Sequence, residues 1–117
     1  MMKKIFLGLC VVLLLCTSAF GETMGEKNAL RSANDYLEIM SFSYSGLIKQ
    51  LEFAGFSHNE AVYAANNCGA NWNEQAAKAA KSYLELTGFS RKGLIKQLIF
   101  AGFTPEKAEY GAKQNGY

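Results

Sequence analysis

The stretch Gly46-Leu47-Ile48-Lys49-Gln50-Leu51-Glu52-Phe53-Ala54-Gly55-Phe56 returns 47 residues later as Gly93-Leu94-Ile95-Lys96-Gln97-Leu98-Ile99-Phe100-Ala101-Gly102-Phe103. The ten positions from Leu47 to Phe56 agree at nine places between the copies. The match extends outward at the same offset. Tyr36-Leu37-Glu38 pairs with Tyr83-Leu84-Glu85, and Phe42-Ser43 with Phe89-Ser90. Ala61, Tyr63, Ala65 and Gly69 pair with Ala108, Tyr110, Ala112 and Gly116. About half of the aligned pairs are identical, so residues 22–70 and 71–117 form a direct duplicate. A period of this length marks stacked helical units, each too small to bury much surface alone.

Each unit reads as three short helices. In the first unit, Leu30, Ala33, Leu37 and Met40 recur at spacings of three and four, which predicts a helix from about Lys27 to Met40. Ser43 is placed to cap a second helix over Tyr44 to Phe53, whose apolar stripe is Leu47, Ile48, Leu51 and Ala54. Gly55 follows as a C-terminal stop. Ser57 and Glu60 form a capping box for a third helix that carries Ala61, Ala64 and Ala65. In the second unit Asn71 with Glu74, Ser90, and Thr104 with Pro105 supply the matching caps. Phe42, Phe56, Phe89 and Phe103 sit beside caps as wedges between helices, and Trp72 falls at the junction. The fold class is therefore all-α, two tandem helix-turn-helix-like repeats after an N-terminal segment. Val is nearly absent beyond residue 12, while Ala, Leu, Lys, Glu and Gln abound, which disfavours a sheet.

The first 21 residues differ in kind. Lys3 and Lys4 precede an apolar run from Ile5 to Leu15, and small residues follow at Ala19 and Gly21. This is the pattern of a secretory leader over residues 1–21, with cleavage expected between Gly21 and Glu22. The run falls short of the roughly 20 apolar residues that cross a bilayer comfortably. Cys16 offers a second processing route, acylation of its thiol, which would anchor the chain at the membrane. Beyond the leader the ten basic and ten acidic residues cancel. One thiol, Cys68, remains there, so no internal disulfide supports the fold.

The unmatched position in the central motif is Glu52 against Ile99. A residue charged in one copy and apolar in the other meets different surroundings. Ile99 either packs on the first unit or belongs to a partner surface. Glu38 and Glu85 recur beside inward-facing leucines and should face outward, so they complete the candidate partner surface. No Cys pair has metal spacing, no glycine-rich phosphate loop is present, and the single His58 stands at a helix start. No catalytic, cofactor or metal site is expected, nor a small-molecule substrate, and the chain is read as a non-enzyme. Ser90-Arg91-Lys92 with Lys96 gives a short basic edge reminiscent of DNA-reading helices. A neutral mature chain and an export leader argue against nucleic acid as the partner.

The doubled pattern Tyr-Leu, Phe-Ser, Gly-Leu-Ile-Lys-Gln-Leu, Phe-x-Gly-Phe and Ala-x-Tyr resembles the Ltp family of host cell-surface-exposed lipoproteins. The link Asn71-Trp72-Asn73-Glu74-Gln75-Ala76 is similar to that family's Asp-Trp-x-x-Gln-Ala junction, with Asn for Asp. The resemblance covers about residues 29–117. It implies paired helix-turn-helix repeats displayed outside the cytoplasmic membrane. It further implies superinfection exclusion, in which phage DNA injection is blocked through contact of an acidic face with the phage tape measure protein. The alternative is an envelope adaptor that binds a host peptide or protein.

Overall fold

The computed structural model describes residues 21–117; most of the expected leader, Cys16 included, lies outside the described residues. Six helices follow one another: α1 (Met24–Ile39), α2 (Tyr44–Phe53), α3 (His58–Asn67), α4 (Trp72–Leu86), α5 (Arg91–Phe100) and α6 (Pro105–Gln114). No strand occurs among the described residues. The fold is all-α and tandem, α1–α3 forming the first unit and α4–α6 the second.

Caps set the helix boundaries. The side chains of Ser43, Ser57, Asn71, Ser90 and Thr104 each accept a bond from the amide three residues on. Ser57 and Glu60 close the full capping box, whereas Asn71 receives the Glu74 amide without a returning bond. α1 begins three residues before its expected start, because Thr23 and Glu26 form a capping box there. Each second helix ends at a glycine with positive φ, 106° at Gly55 and 104° at Gly102, a conformation that suits glycine best.

Each unit has its own core. The four largest fully buried side chains are Leu47 and Leu51 in α2 and their counterparts Leu94 and Leu98 in α5. Alanines fill the rest: Ala29, Ala33, Ala61, Ala64 and Ala65 in the first unit, Ala76, Ala79, Ala80, Ala108 and Ala112 in the second. The buried seam of α1 is thus Ala29 and Ala33, flanked by half-buried Leu30 and Leu37, and Met40 is exposed. Large residues at helical spacing misplace this seam because the first and third helices of a unit approach closely. At that distance a small side chain fills the gap. Gly111 in α6 shows the limit, since a Cβ there would come within 2.7 Å of the Ala76 carbonyl oxygen. Of the α2 stripe, Leu47, Ile48 and Leu51 are buried and Ala54 is exposed. Phe103 is buried, and Phe42, Phe56 and Phe89 pack half-buried against their unit's core.

All extensive helix packing lies within a unit. Every buried core residue and every cap among the described residues falls between Thr23 and Tyr117. Within these residues each unit closes a core of its own and every helix has its N-cap.

Candidate partner-binding surface

Polar groups at the start of α2 join the units. The Ser43 hydroxyl donates to the Ala101 carbonyl at 2.7 Å while accepting from the Gly46 amide at 2.9 Å. The Ser45 hydroxyl donates to the Gly102 carbonyl at 3.1 Å. The C-terminal carbonyls after α5 thus point into the N-terminal end of α2, the favourable sense for two helix dipoles. Gln75, buried in α4, accepts from the Phe42 amide at 2.9 Å. Tyr44 and Trp72 meet edge to face with ring centroids 5.5 Å apart, and Trp72 leans on the first unit's core.

Ser43 and its counterpart Ser90 cap equivalent helices in the same way, but among their bonds only Ser43 also reaches across the junction. Ser90→Ala should cost about 1 kcal/mol, the value of an N-cap. Ser43→Ala should cost about 2 kcal/mol, the same cap plus one hydrogen bond. Urea midpoints of the two variants read the difference directly, and equal midpoints would show that the junction bond contributes nothing.

An open groove of about 540 Å³ lies where the end of α1 faces α4. Leu37, Glu38, Met40, Lys78, Tyr83 and Leu86 are among its lining residues. Ile39 and Leu86, equivalent positions in the two units, stand on it 79% and 82% exposed. Glu38, expected at a partner surface, is exposed and lines this groove. Glu85 is exposed at the equivalent place in α4 and is not among the lining residues.

The other two candidate residues lie apart from the groove. Glu52 sits at the end of α2, where its carboxylate is 3.0 Å from the Nδ1 of His58. In the second unit both positions are apolar, Ile99 and Pro105. The contrast between the units is therefore a pair exchanged for a pair. The signal was present in the sequence, since the two differences lie six residues apart and flank one turn. Ile99 is 41% exposed and belongs to neither core. Glu22, at the expected cleavage point, accepts a 2.8 Å hydrogen bond from the Tyr63 hydroxyl. That bond, with desolvation and the charges of Glu22 and Glu26, holds the Tyr63 phenol above its ordinary pKa. Gly21 is exposed at the edge of the described residues.

Sequence reasoning missed two surface features. Phe53 and Phe100, at equivalent helix ends, are 89% and 86% exposed. Charge is also divided between the units. Residues 22–70 hold six acidic and three basic residues, and residues 71–117 hold four acidic and seven basic ones. A neutral total hides a first unit of net −3 and a second of net +3.

Two three-helix units joined through capped helix ends define a tandem helix-turn-helix repeat. The family model described as host cell surface-exposed lipoprotein matches this chain twice, over residues 25–68 and 71–114. The chain belongs to that family. It is similar to the solved structure of Ltp, a superinfection exclusion protein from the Streptococcus thermophilus temperate phage TP-J34. The two share 29% identity with a TM-score of 0.75, over 80% of this chain and 97% of that one. Comparison with curated proteins gives no match.

Proposed function

We propose that this protein is exported to the cell surface, where it protects its host against superinfection by blocking phage DNA entry. The observation that carries the reading is the likeness to the superinfection exclusion protein Ltp over nearly that protein's full length. The protein acts by binding another protein and catalyses no reaction. Its partner on this reading is a protein of the incoming phage, the tape measure protein being the one the family resemblance names. The acidic first unit supplies the acidic contact face, and Glu38 stands at the groove it shares with α4. Attachment through Cys16 or release after Gly21 would each leave residues 22–117 outside the membrane.

Expression in a phage-sensitive host tests the proposal. Adsorption should be unchanged while intracellular phage DNA falls at least tenfold, and the fall should lessen when Glu38 is changed to Lys. Unchanged DNA entry across several phages of that host would remove the exclusion role. The groove, with its exposed Ile39, Met40 and Leu86 beside Glu38 and Lys78, favours a second reading, an envelope adaptor that holds a host peptide. Recovery of only host envelope proteins on immobilised residues 22–117, with DNA entry unaffected, would select it.

A further inference from the structure

The outward side of α5 differs from the rest of the surface. At 100° per residue, Lys92, Lys96, Ile99 and Phe100 fall within about 100° of one another around the helix. All four are exposed, opposite the fully buried Leu94 and Leu98. Along the helix the two lysines come first and the two large apolar side chains follow, while around it Ile99 and Phe100 flank the lysines on either side. Arg91, exposed at the start of the helix, lies outside this arc, and α5 contains no acidic residue. The equivalent arc of α2 is Ser45, Lys49, Glu52 and Phe53, with Glu52 bonded to His58. The second unit thus has Lys for Ser and Ile for Glu, on a unit of net positive charge.

Neither Ile99 nor Phe100 contributes to a core, so packing does not account for them. Exposed apolar side chains flanking lysines on one helix face match the chemistry of an anionic lipid interface. There the apolar groups enter the headgroup layer and the ammonium groups meet phosphates. A chain of the surface-exposed lipoprotein family works beside such a membrane. We propose that the outward arc of α5 docks onto the anionic lipid surface of the cell membrane. This lays the basic second unit on the bilayer and leaves the acidic first unit free.

Residues 22–117, without leader or acyl group, are mixed with vesicles of phosphatidylcholine alone or enriched in phosphatidylglycerol, and binding is read by cosedimentation. Binding should require phosphatidylglycerol and weaken with added salt. Lys92→Gln with Lys96→Gln should weaken it about twenty-five-fold, near fivefold for each charge. Phe100→Ser should weaken it several-fold, while Phe53→Ser changes it less. All four side chains are exposed, so circular dichroism should show each variant folded. Three results would overturn the proposal: no binding to either vesicle, equal binding to both, or a double lysine variant that binds like the parent. Self-association in the ultracentrifuge that Phe100→Ser abolishes, without lipid binding, would also overturn it and assign the arc to contact between copies. The vesicle assay contains no phage component, so its outcome is independent of the exclusion test.

Discussion

Leu98→Ala should destabilise the protein by about 3–4 kcal/mol, and Leu51→Ala by a similar amount. Each unit of fewer than 50 residues fully buries only two large side chains, Leu47 with Leu51 or Leu94 with Leu98. The remaining core is mostly alanine, which is short and cannot swing in to fill a hole. A cavity left by Leu98 would therefore stay largely open, and the cost of a large-to-small change rises with the volume that stays open. For a domain of this size the loss corresponds to a fall in melting temperature on the order of 15 °C or more. A loss below about 1 kcal/mol in thermal or urea unfolding would contradict the two-core description.

The same pair of variants tests how independently the units fold. Extensive helix packing stays within a unit, and the junction rests on three hydrogen bonds and one aromatic pair. Hydrogen exchange in Leu51→Ala should show lost protection in α1–α3, with α4–α6 less affected. Leu98→Ala should show the reverse. Equal loss in both units from either variant would mean that the junction makes them one cooperative body.

The residues that cap and fill each unit were legible because their physics is local. A serine three residues before a free amide, a glycine after an apolar stripe and a capping box act over one turn, wherever the unit sits. Ser57 with Glu60 and Gly55 are read correctly for that reason. The junction was not legible, because it depends on which end of a unit meets the other copy. Ser43 and Ser90 are the same residue with the same cap, and the neighbours that differ, Tyr44 and Ser45 against Arg91 and Lys92, do not say which copy bridges until the other unit is in place. Ala54 and Ala101 are likewise identical in sequence, yet Ala54 is exposed, while Ala101 is half-buried on its own unit's core with its carbonyl bonded to Ser43. The groove escaped for the same reason, since it lies where α1 of one unit faces α4 of the other. The exposed phenyl groups fall outside the expected stripe of Leu47, Ile48, Leu51 and Ala54, and were missed because large aromatic side chains are ordinarily buried. Phe53 and Phe100 stand about 200° around their helices from the buried Leu51 and Leu98, so the helix itself turns them outward.

Gly102→Ala should cost about 3–4 kcal/mol, whereas Gly55→Ala should cost only about 1–2 kcal/mol, the strain of a left-handed alanine. The two glycines have nearly the same φ, 104° and 106°, so the conformational penalty is shared. Their surroundings differ. A Cβ at Gly55 meets nothing within 4 Å. A Cβ at Gly102 would press on the Ser45 hydroxyl and come within 2.5 Å of the Ser43 hydroxyl oxygen. Those hydroxyls donate to the Gly102 and Ala101 carbonyls, so relieving the clash means turning the hydroxyls away or parting the units, and either breaks both bonds. The excess of Gly102→Ala over Gly55→Ala thus measures the junction, with backbone strain cancelled by the repeat itself. It should shrink when Ser43 and Ser45 are both already Ala, because the bonds are then absent and the clash is smaller. Fluorescence of Trp72, which leans from α4 onto the first unit, should shift in Gly102→Ala and stay put in Gly55→Ala. Equal destabilisation by the two glycine variants, with the tryptophan unmoved in both, would place no energy in the contact between α5 and α2.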